Sequence, residues 1–186
     1  MKTAKIGIDL DGIIINHTEN TLKTAGSFGF ALKKEQTVYQ IMKGLIPQEE
    51  RRKISKIVYG KLSLSPPPWT YALSSMKKLH RKGLELFILS ARQQSHYALK
   101  WLKKYGVTKD VPLKNIFFVK ESEDKAAIVR KIKVDIFLDD KTTVLESIQK
   151  YCLPVWFNPH KLKNALEFKE VHSWLEFVKL SERTKK

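Results

Sequence analysis

Four acidic residues fall in two pairs, each directly behind a short apolar run: Ile8-Asp9-Leu10-Asp11-Gly12 and Leu138-Asp139-Asp140-Lys141. Side chains alternate along a strand, so Asp9 and Asp11 can point the same way at its carboxyl end, the edge where open parallel sheets place their sites. Gly12 then permits a sharp turn away from the sheet. Neighbouring carboxylates resist ionising together, so such a pair calls for a cation between them, or for one nucleophile beside one proton carrier. Taken alone, Asp-x-Asp describes a surface turn or a helix cap equally well. Asp139-Asp140 can likewise cap a helix starting near Thr142, or complete an oxygen-rich site for Mg²⁺. Two further segments end at the same sheet edge. Leu89-Ser90-Ala91-Arg92 offers a hydroxyl and then a helix amino terminus, a ready anion site, with Ser90 as a plain N-cap as the alternative. Glu123-Asp124-Lys125 precedes a helix over Ala126 to Ile132, from which Lys125 can reach over the strand ends towards an anion.

The elements that must position these residues are legible as short apolar runs at Ile6 to Leu10, Leu84 to Leu89, Ile116 to Val119, Val134 to Leu138 and Pro154 to Phe157. Their length and β-branched content suit buried strands. Helical spacing lies between most of them: Ala72, Met76 and Leu79 ending at Gly83, and Tyr97, Trp101 and Tyr105 ending at Gly106. Later, Val144, Leu145 and Ile148 share one helical face, and Val171, Trp174, Leu175 and Val178 another. This alternation predicts a parallel sheet covered on both faces. It is interrupted from Ile14 to Ser65, where no strand pattern occurs and Pro47-Gln48-Glu49-Glu50 opens a helix carrying Ile54, Ile57 and Val58. A structureless loop of that length is implausible in a compact domain, so a helical insertion is expected, closed by the stiff Pro66-Pro67-Pro68.

With 186 residues, 42% of them hydrophobic, the chain can bury one core without staples. The single cysteine, Cys152, excludes an internal disulfide and reads as a small buried residue. No run approaches a membrane span and the start leads into a strand, so a cytoplasmic location and no membrane partner are expected. The formal charge of +16 favours phosphorylated or polyanionic partners. The lysines are dispersed, with one short basic end at Arg183-Thr184-Lys185-Lys186, which reads as a solvated basic surface or, more sharply, as a basic channel. Histidines at 17, 80, 96, 160 and 172 have no metal-ligand spacing and read as surface or satisfied core residues.

In their order, these motifs resemble the haloacid dehalogenase superfamily of phosphohydrolases. That family combines an Asp-x-Asp after strand one, a Ser or Thr after strand two, a Lys before a later helix and an acidic pair after strand four. The resemblance covers residues 5 to 140 and implies a Rossmann-like three-layer α/β sandwich: a core of 1–13 and 66–186, and a small helical cap over 14–65. Only about 34 residues separate Ser90 from Lys125, too few for the larger cap found there in other branches. By resemblance, Asp9 attacks phosphorus to give an aspartyl phosphate, and Asp11 protonates the leaving oxygen and later deprotonates water. Ser90, Ala91 and Lys125 hold the phosphoryl group. Asp9, Asp139 and the main-chain carbonyl of Asp11 hold Mg²⁺, with Asp140 as a direct, water-mediated or orienting ligand. Two features depart from the pattern: Ile13 stands where a Thr or Val is usual, removing a hydroxyl that helps fix Asp11, and Lys120 competes with Lys125.

The small cap, the Pro66 to Pro68 return and the Ser90-Ala91-Arg92 segment look most like the 5'(3')-deoxyribonucleotidase branch. A nucleoside monophosphate is therefore the leading substrate, with Phe28, Phe30 and Tyr39 as candidate stacking residues or cap core. The charge leaves open an end phosphatase acting on nucleic acid, and a non-catalytic nucleic-acid-binding protein on the same fold.

Overall fold

Apolar runs that can be buried on both faces become strands: β1 (Lys5–Ile8), β2 (Glu85–Ser90), β3 (Ile116–Phe118), β4 (Ile136–Asp139) and β5 (Leu153–Phe157). A sixth, β6 (Lys169–Val171), joins them in the computed structural model, which describes residues 3–163 and 167–183. All pairings are parallel, in the order β3-β2-β1-β4-β5-β6. The chain builds outward from β1 in one direction through β3, then resumes on the other side with β4. That reversal opens a crevice at the carboxyl ends of β1 and β4, where ligands sit in open α/β sheets.

Alternation along the strands sorts the core into two layers. Ile6, Ile8, Leu86, Ile88, Ile136, Leu138 and Val155 face the helices α4 (Ala72–Arg81), α5 (Ser95–Lys104) and α8 (Trp174–Arg183). Phe87, Leu89, Phe137 and Trp156 face α6 (Lys125–Ile132) and α7 (Thr142–Ile148). Gly7 sits where a Cβ would overlap the Phe137 ring, so only glycine lets that ring fill the layer beside β1. Cys152 packs half-buried against this second layer, and burial beside Asp135 pushes its thiol up to about 12.

Residues 14–65 contain α1 (Thr18–Ser27), α2 (Tyr39–Leu45) and α3 (Gln48–Val58), with a short 3-10 turn at Lys61–Leu64. Ala25, Met42, Ile46, Ile54 and Val58 form a cluster of their own. Two expectations need correction. Ile57 is exposed, because Ile54 and Val58, one turn apart, already cover the buried stripe of α3. Val171 belongs to β6 rather than to the final helix, whose buried face is Trp174, Phe177 and Val178 with Leu175 outside. Of the basic carboxyl end, 184–186 lie outside the described residues. No helix among the described residues is long and apolar enough to cross a membrane.

Candidate active site

Asp9 directly follows β1, and its backbone N–H extends the ladder by donating to the Leu138 carbonyl at 2.9 Å. Lys125, the first residue of α6, is buried and points its ammonium back over the strand ends. Its Nζ donates to Asp9 Oδ1 at 2.6 Å and to Asp139 Oδ2 at 2.7 Å, whereas Lys120 is exposed. The other oxygen of Asp139 accepts from the Lys141 backbone N–H at 2.9 Å. Gly12, at φ +86°, makes the turn that brings the next loop close: a Cβ there would stand 2.8 Å from Asp140 Oδ2. The Asp140 carbonyl accepts from Trp156 Nε1 and from Gln40 Nε2, the latter reaching in from α2.

One oxygen from each of Asp9, Asp139 and Asp140 lies within 4.8 Å of the others. Burial pushes the Asp9 carboxyl up to about 6 despite Lys125, with Asp139 and Asp11 adding to the rise. Burial, with Asp139 and Asp9 adding to the rise, holds Asp140 well above the usual carboxylate range. Burial opposes the charge on Lys125, but its two carboxylate partners more than compensate and keep it protonated. A hard divalent cation fits this set: the donors are all oxygens, the acids outnumber the paired cations, and Asp140 Oδ1 is buried without a partner. The Asp11 side chain stands outside this group.

That side chain is held elsewhere. Arg92 donates from Nε to Asp11 Oδ2 at 3.1 Å and from Nη2 to Oδ1 at 2.5 Å, a two-bond fork. His17, at the start of α1, places Nε2 2.8 Å from the same Oδ1. Burial alone would raise the Asp11 carboxyl, but Arg92 and His17 reverse this and hold it well below the usual carboxylate range. Burial pushes His17 below its ordinary value against the pull of Asp11; Nε2 donates to the ionised Asp11, and Nδ1 is buried without a partner. His17 is therefore neither a surface nor a satisfied core histidine, a correction with a plain cause: its partner, Asp11, is six residues away across a turn, not one helical turn along. Arg92 was legible only as part of an anion-binding segment. Two residues past a strand end, an arginine that becomes buried needs an acid, and the chain had already placed one at Asp11.

Ser90 closes β2 with its Oγ accepting from the Arg92 backbone N–H at 3.2 Å, and both Ser90 and Ala91 line the cleft. The expected helix amino terminus is not directly behind them, because α5 begins only at Ser95. The cleft encloses about 180 Å³ between the strand ends and the 14–65 segment. Asp9, Asp11, Lys125 and Asp140 line its floor. Of the three expected aromatics only Tyr39 lines it; Phe28 and Phe30 pack against the cluster of 14–65. Tyr59, Trp69, Trp156 and Phe157 supply the remaining aromatic wall. Among the described residues, the buried side-chain atoms without a hydrogen-bond partner are His17 Nδ1, Gln40 Oε1, Trp69 Nε1 and Asp140 Oδ1. Three of those four residues line this cleft, which is where a polar ligand would satisfy them.

No protein-family model matches the chain. It is 24% identical over 176 residues to a Bacillus cereus protein named "Putative nucleotidase", covering 92% of this chain and 80% of that one. Among solved structures it is similar to the magnesium-bound "putative HAD-hydrolase YfnB" of Bacillus subtilis, with a TM-score of 0.68 at 13% identity over 97% of this chain and 99% of that one. It is also similar to a haloacid dehalogenase-like family hydrolase of Streptococcus pneumoniae, with a TM-score of 0.69 at 11% identity over 96% and 98% of the two chains. With its parallel six-stranded sheet, its strand order and these likenesses, the chain has the fold of the haloacid dehalogenase superfamily hydrolases.

Proposed function

We propose that the chain is a Mg²⁺-dependent phosphomonoester hydrolase that works through an aspartyl phosphate on Asp9, with nucleoside monophosphates as its substrates. The observation that carries this reading is the bond from Lys125 Nζ to Asp9 Oδ1 at 2.6 Å on the floor of a cleft rich in unpartnered polar atoms. Lys125 fixes one oxygen of Asp9, and the second is the nucleophile. The Ser90 hydroxyl and the chain at Ala91 bind the transferring phosphoryl oxygens, with Lys125 offsetting their charge. Asp11 carries the proton exchanged with the leaving oxygen and the attacking water, its proton affinity, held low by Arg92 and His17 in the free cleft, rising when the anionic substrate sits beside it. Asp9, Asp139, Asp140 and the Asp11 carbonyl would hold the Mg²⁺, which when bound offsets the repulsion between a carboxylate nucleophile and an anionic substrate. Residues 14–65 act as a cap domain over the core of 1–13 and 66–186, excluding water from the cleft.

A nucleotide substrate is supported by the name of the Bacillus cereus relative and by the aromatic wall at Tyr39, Tyr59, Trp69 and Trp156. A second reading, removal of a terminal phosphate from a polynucleotide, draws on two cations beside the exposed Tyr39 ring: Lys141 Nζ at 4.9 Å and the Arg51 guanidinium at 5.8 Å from its centroid. The deciding measurement is phosphate release from nucleoside monophosphates, sugar phosphates and 3'-phosphorylated oligonucleotides, with and without Mg²⁺, by the intact protein and by Asp9→Asn. Turnover that needs Mg²⁺ and is lost in Asp9→Asn, fastest on a mononucleotide, is expected. Turnover that survives Asp9→Asn would end the aspartyl-phosphate reading, and tight oligonucleotide binding without turnover would replace it with a binding role.

A further inference from the structure

Arg92 ties together several side chains beside the cleft, and the reaction scheme gives it no role. Arg92 is almost wholly buried and spends its guanidinium on neighbours of the reacting groups. Nε and Nη2 grip the two oxygens of Asp11, and Nη1 donates to Ser63 Oγ at 3.3 Å. The Ser63 hydroxyl itself donates to the Gly60 carbonyl, so towards Arg92 it acts as the acceptor. The guanidinium carbon lies 5.4 Å from the Tyr59 ring centroid, and Tyr59 in turn meets His17 edge-on at 5.1 Å. A side chain held from so many directions is set in place, and its donor fork is already engaged. It is therefore poorly placed to take up the substrate phosphate.

The same contacts select one oxygen of Asp11. Oδ1 accepts from both Arg92 Nη2 and His17 Nε2, which fills its two acceptor directions, whereas Oδ2 accepts only from Arg92 Nε. The remaining acceptor position on Oδ2 belongs to a residue lining the cleft. Ile13 has no hydroxyl to assist, and its carbonyl is occupied by Trp174 Nε1.

We propose that Arg92 is a positioning residue which, anchored by Ser63 and the Tyr59 ring of the 14–65 segment and with His17 fixing Oδ1 beside it, holds Asp11 so that Oδ2 accepts the proton of the water that attacks the phosphorylated Asp9. The inference rests on the phosphohydrolase reading above. In this step the water oxygen bonds to phosphorus, the bond from phosphorus to the Asp9 carboxylate oxygen breaks, and the water proton passes to Asp11 Oδ2. Arg92 meets the reaction only through Asp11, to whose Oδ2 its Nε donates at 3.1 Å, and it reaches neither the phosphoryl group nor the water. Because its anchors come from 14–65, the second half of the reaction is tied to that segment being docked.

The test uses 4-nitrophenyl phosphate, whose leaving group departs without a proton, so the first half of the reaction proceeds without help from Asp11. With Mg²⁺ present, Arg92→Ala is expected to release 4-nitrophenol in a rapid burst approaching one equivalent per chain, then turn over at least about 100-fold more slowly than the intact protein. Intact mass after acid quench should find most of the chain phosphorylated, and Asp9→Asn should abolish both signals. Arg92→Lys, which keeps the buried cation but not the fork, should give a shorter-lived phosphoenzyme and partial recovery of turnover, and it serves as the readout if Arg92→Ala does not fold. A slow variant with neither burst nor phosphoenzyme would mean that Arg92 serves folding or substrate binding, and would overturn the inference alone. An intact protein inert towards every phosphomonoester would remove the phosphohydrolase reading and the inference with it.

Discussion

Asp9 and Asp140 pay for their burial in protons. In the folded, metal-free protein Asp9 holds its proton up to about pH 6, chiefly because burial disfavours its charge, and Asp140 is shifted in the same direction. The unfolded chain releases these protons near pH 4, so between pH 4 and 6 the folded state binds more of them, and the stability that they contribute falls as pH rises. A bound divalent cation reverses this by displacing the protons. Mg²⁺ binding at pH 5.5 is therefore expected to release about one proton or more, and its affinity to tighten by about tenfold per pH unit for each proton displaced. Calorimetric titration in buffers of different ionisation enthalpy counts the protons. An affinity flat between pH 5 and 7, with no proton release, would contradict the raised carboxyls. Lys125 was legible from its place at a helix start; its side chain lies over the strand ends against Asp9, whereas Lys120 is exposed. Arg92 and His17 were not legible in these roles, because their meaning arises only when the end of β2, the start of α1 and the turn after β1 converge on Asp11.

At the scale of elements, the cleft is small for what it is proposed to hold. About 180 Å³ falls short of the roughly 300–1,000 Å³ typical of ligand pockets, so a whole nucleotide either projects from the open cleft or displaces the 14–65 segment. The segment has the means to move: its own cluster of five buried apolar residues, and polar ties to the core such as Gln40 to the Asp140 carbonyl. Truncating Ile54 in that cluster should cost about 2–5 kcal/mol of packing. If the segment is a separate cooperative unit, Ile54→Ala should speed amide hydrogen exchange across α1, α2 and α3 while β1, β2 and β4 keep their protection. Exchange rising equally in the central strands would show that 14–65 and the sheet open as one body. Five strands and most helices were readable because two-faced burial and helical spacing leave distinct periodicities. β6 escaped because two of its three residues, Lys169 and Glu170, are exposed and charged, which leaves no apolar run to read, whereas the equally short β3 is apolar throughout.

Over the whole molecule, the +16 charge is carried on every side of the sheet: Lys53 on α3, Lys77 on α4, Lys103 on α5, Arg130 on α6 and Lys150 beyond α7 are all exposed. Charge spread in this way raises the local concentration of any anion without choosing among them, whereas a polynucleotide track needs cations aligned with successive phosphates. The two substrate readings therefore differ in their salt dependence. A mononucleotide dianion is drawn by the general field, and kcat/KM is expected to fall only about two- to fivefold between 50 and 200 mM KCl as the screening length shortens from about 14 to about 7 Å. A single strand bridging four phosphate contacts would follow a log-log slope of about −2.8, a loss of roughly 50-fold over the same fourfold change in salt. Steady-state kinetics on a nucleoside monophosphate and on a 3'-phosphorylated oligonucleotide across that range separates the two. The shallow dependence, with the mononucleotide preferred throughout, is the expected result; a steep one confined to the oligonucleotide, with the higher kcat/KM at low salt, would transfer the proposed activity to nucleic-acid ends.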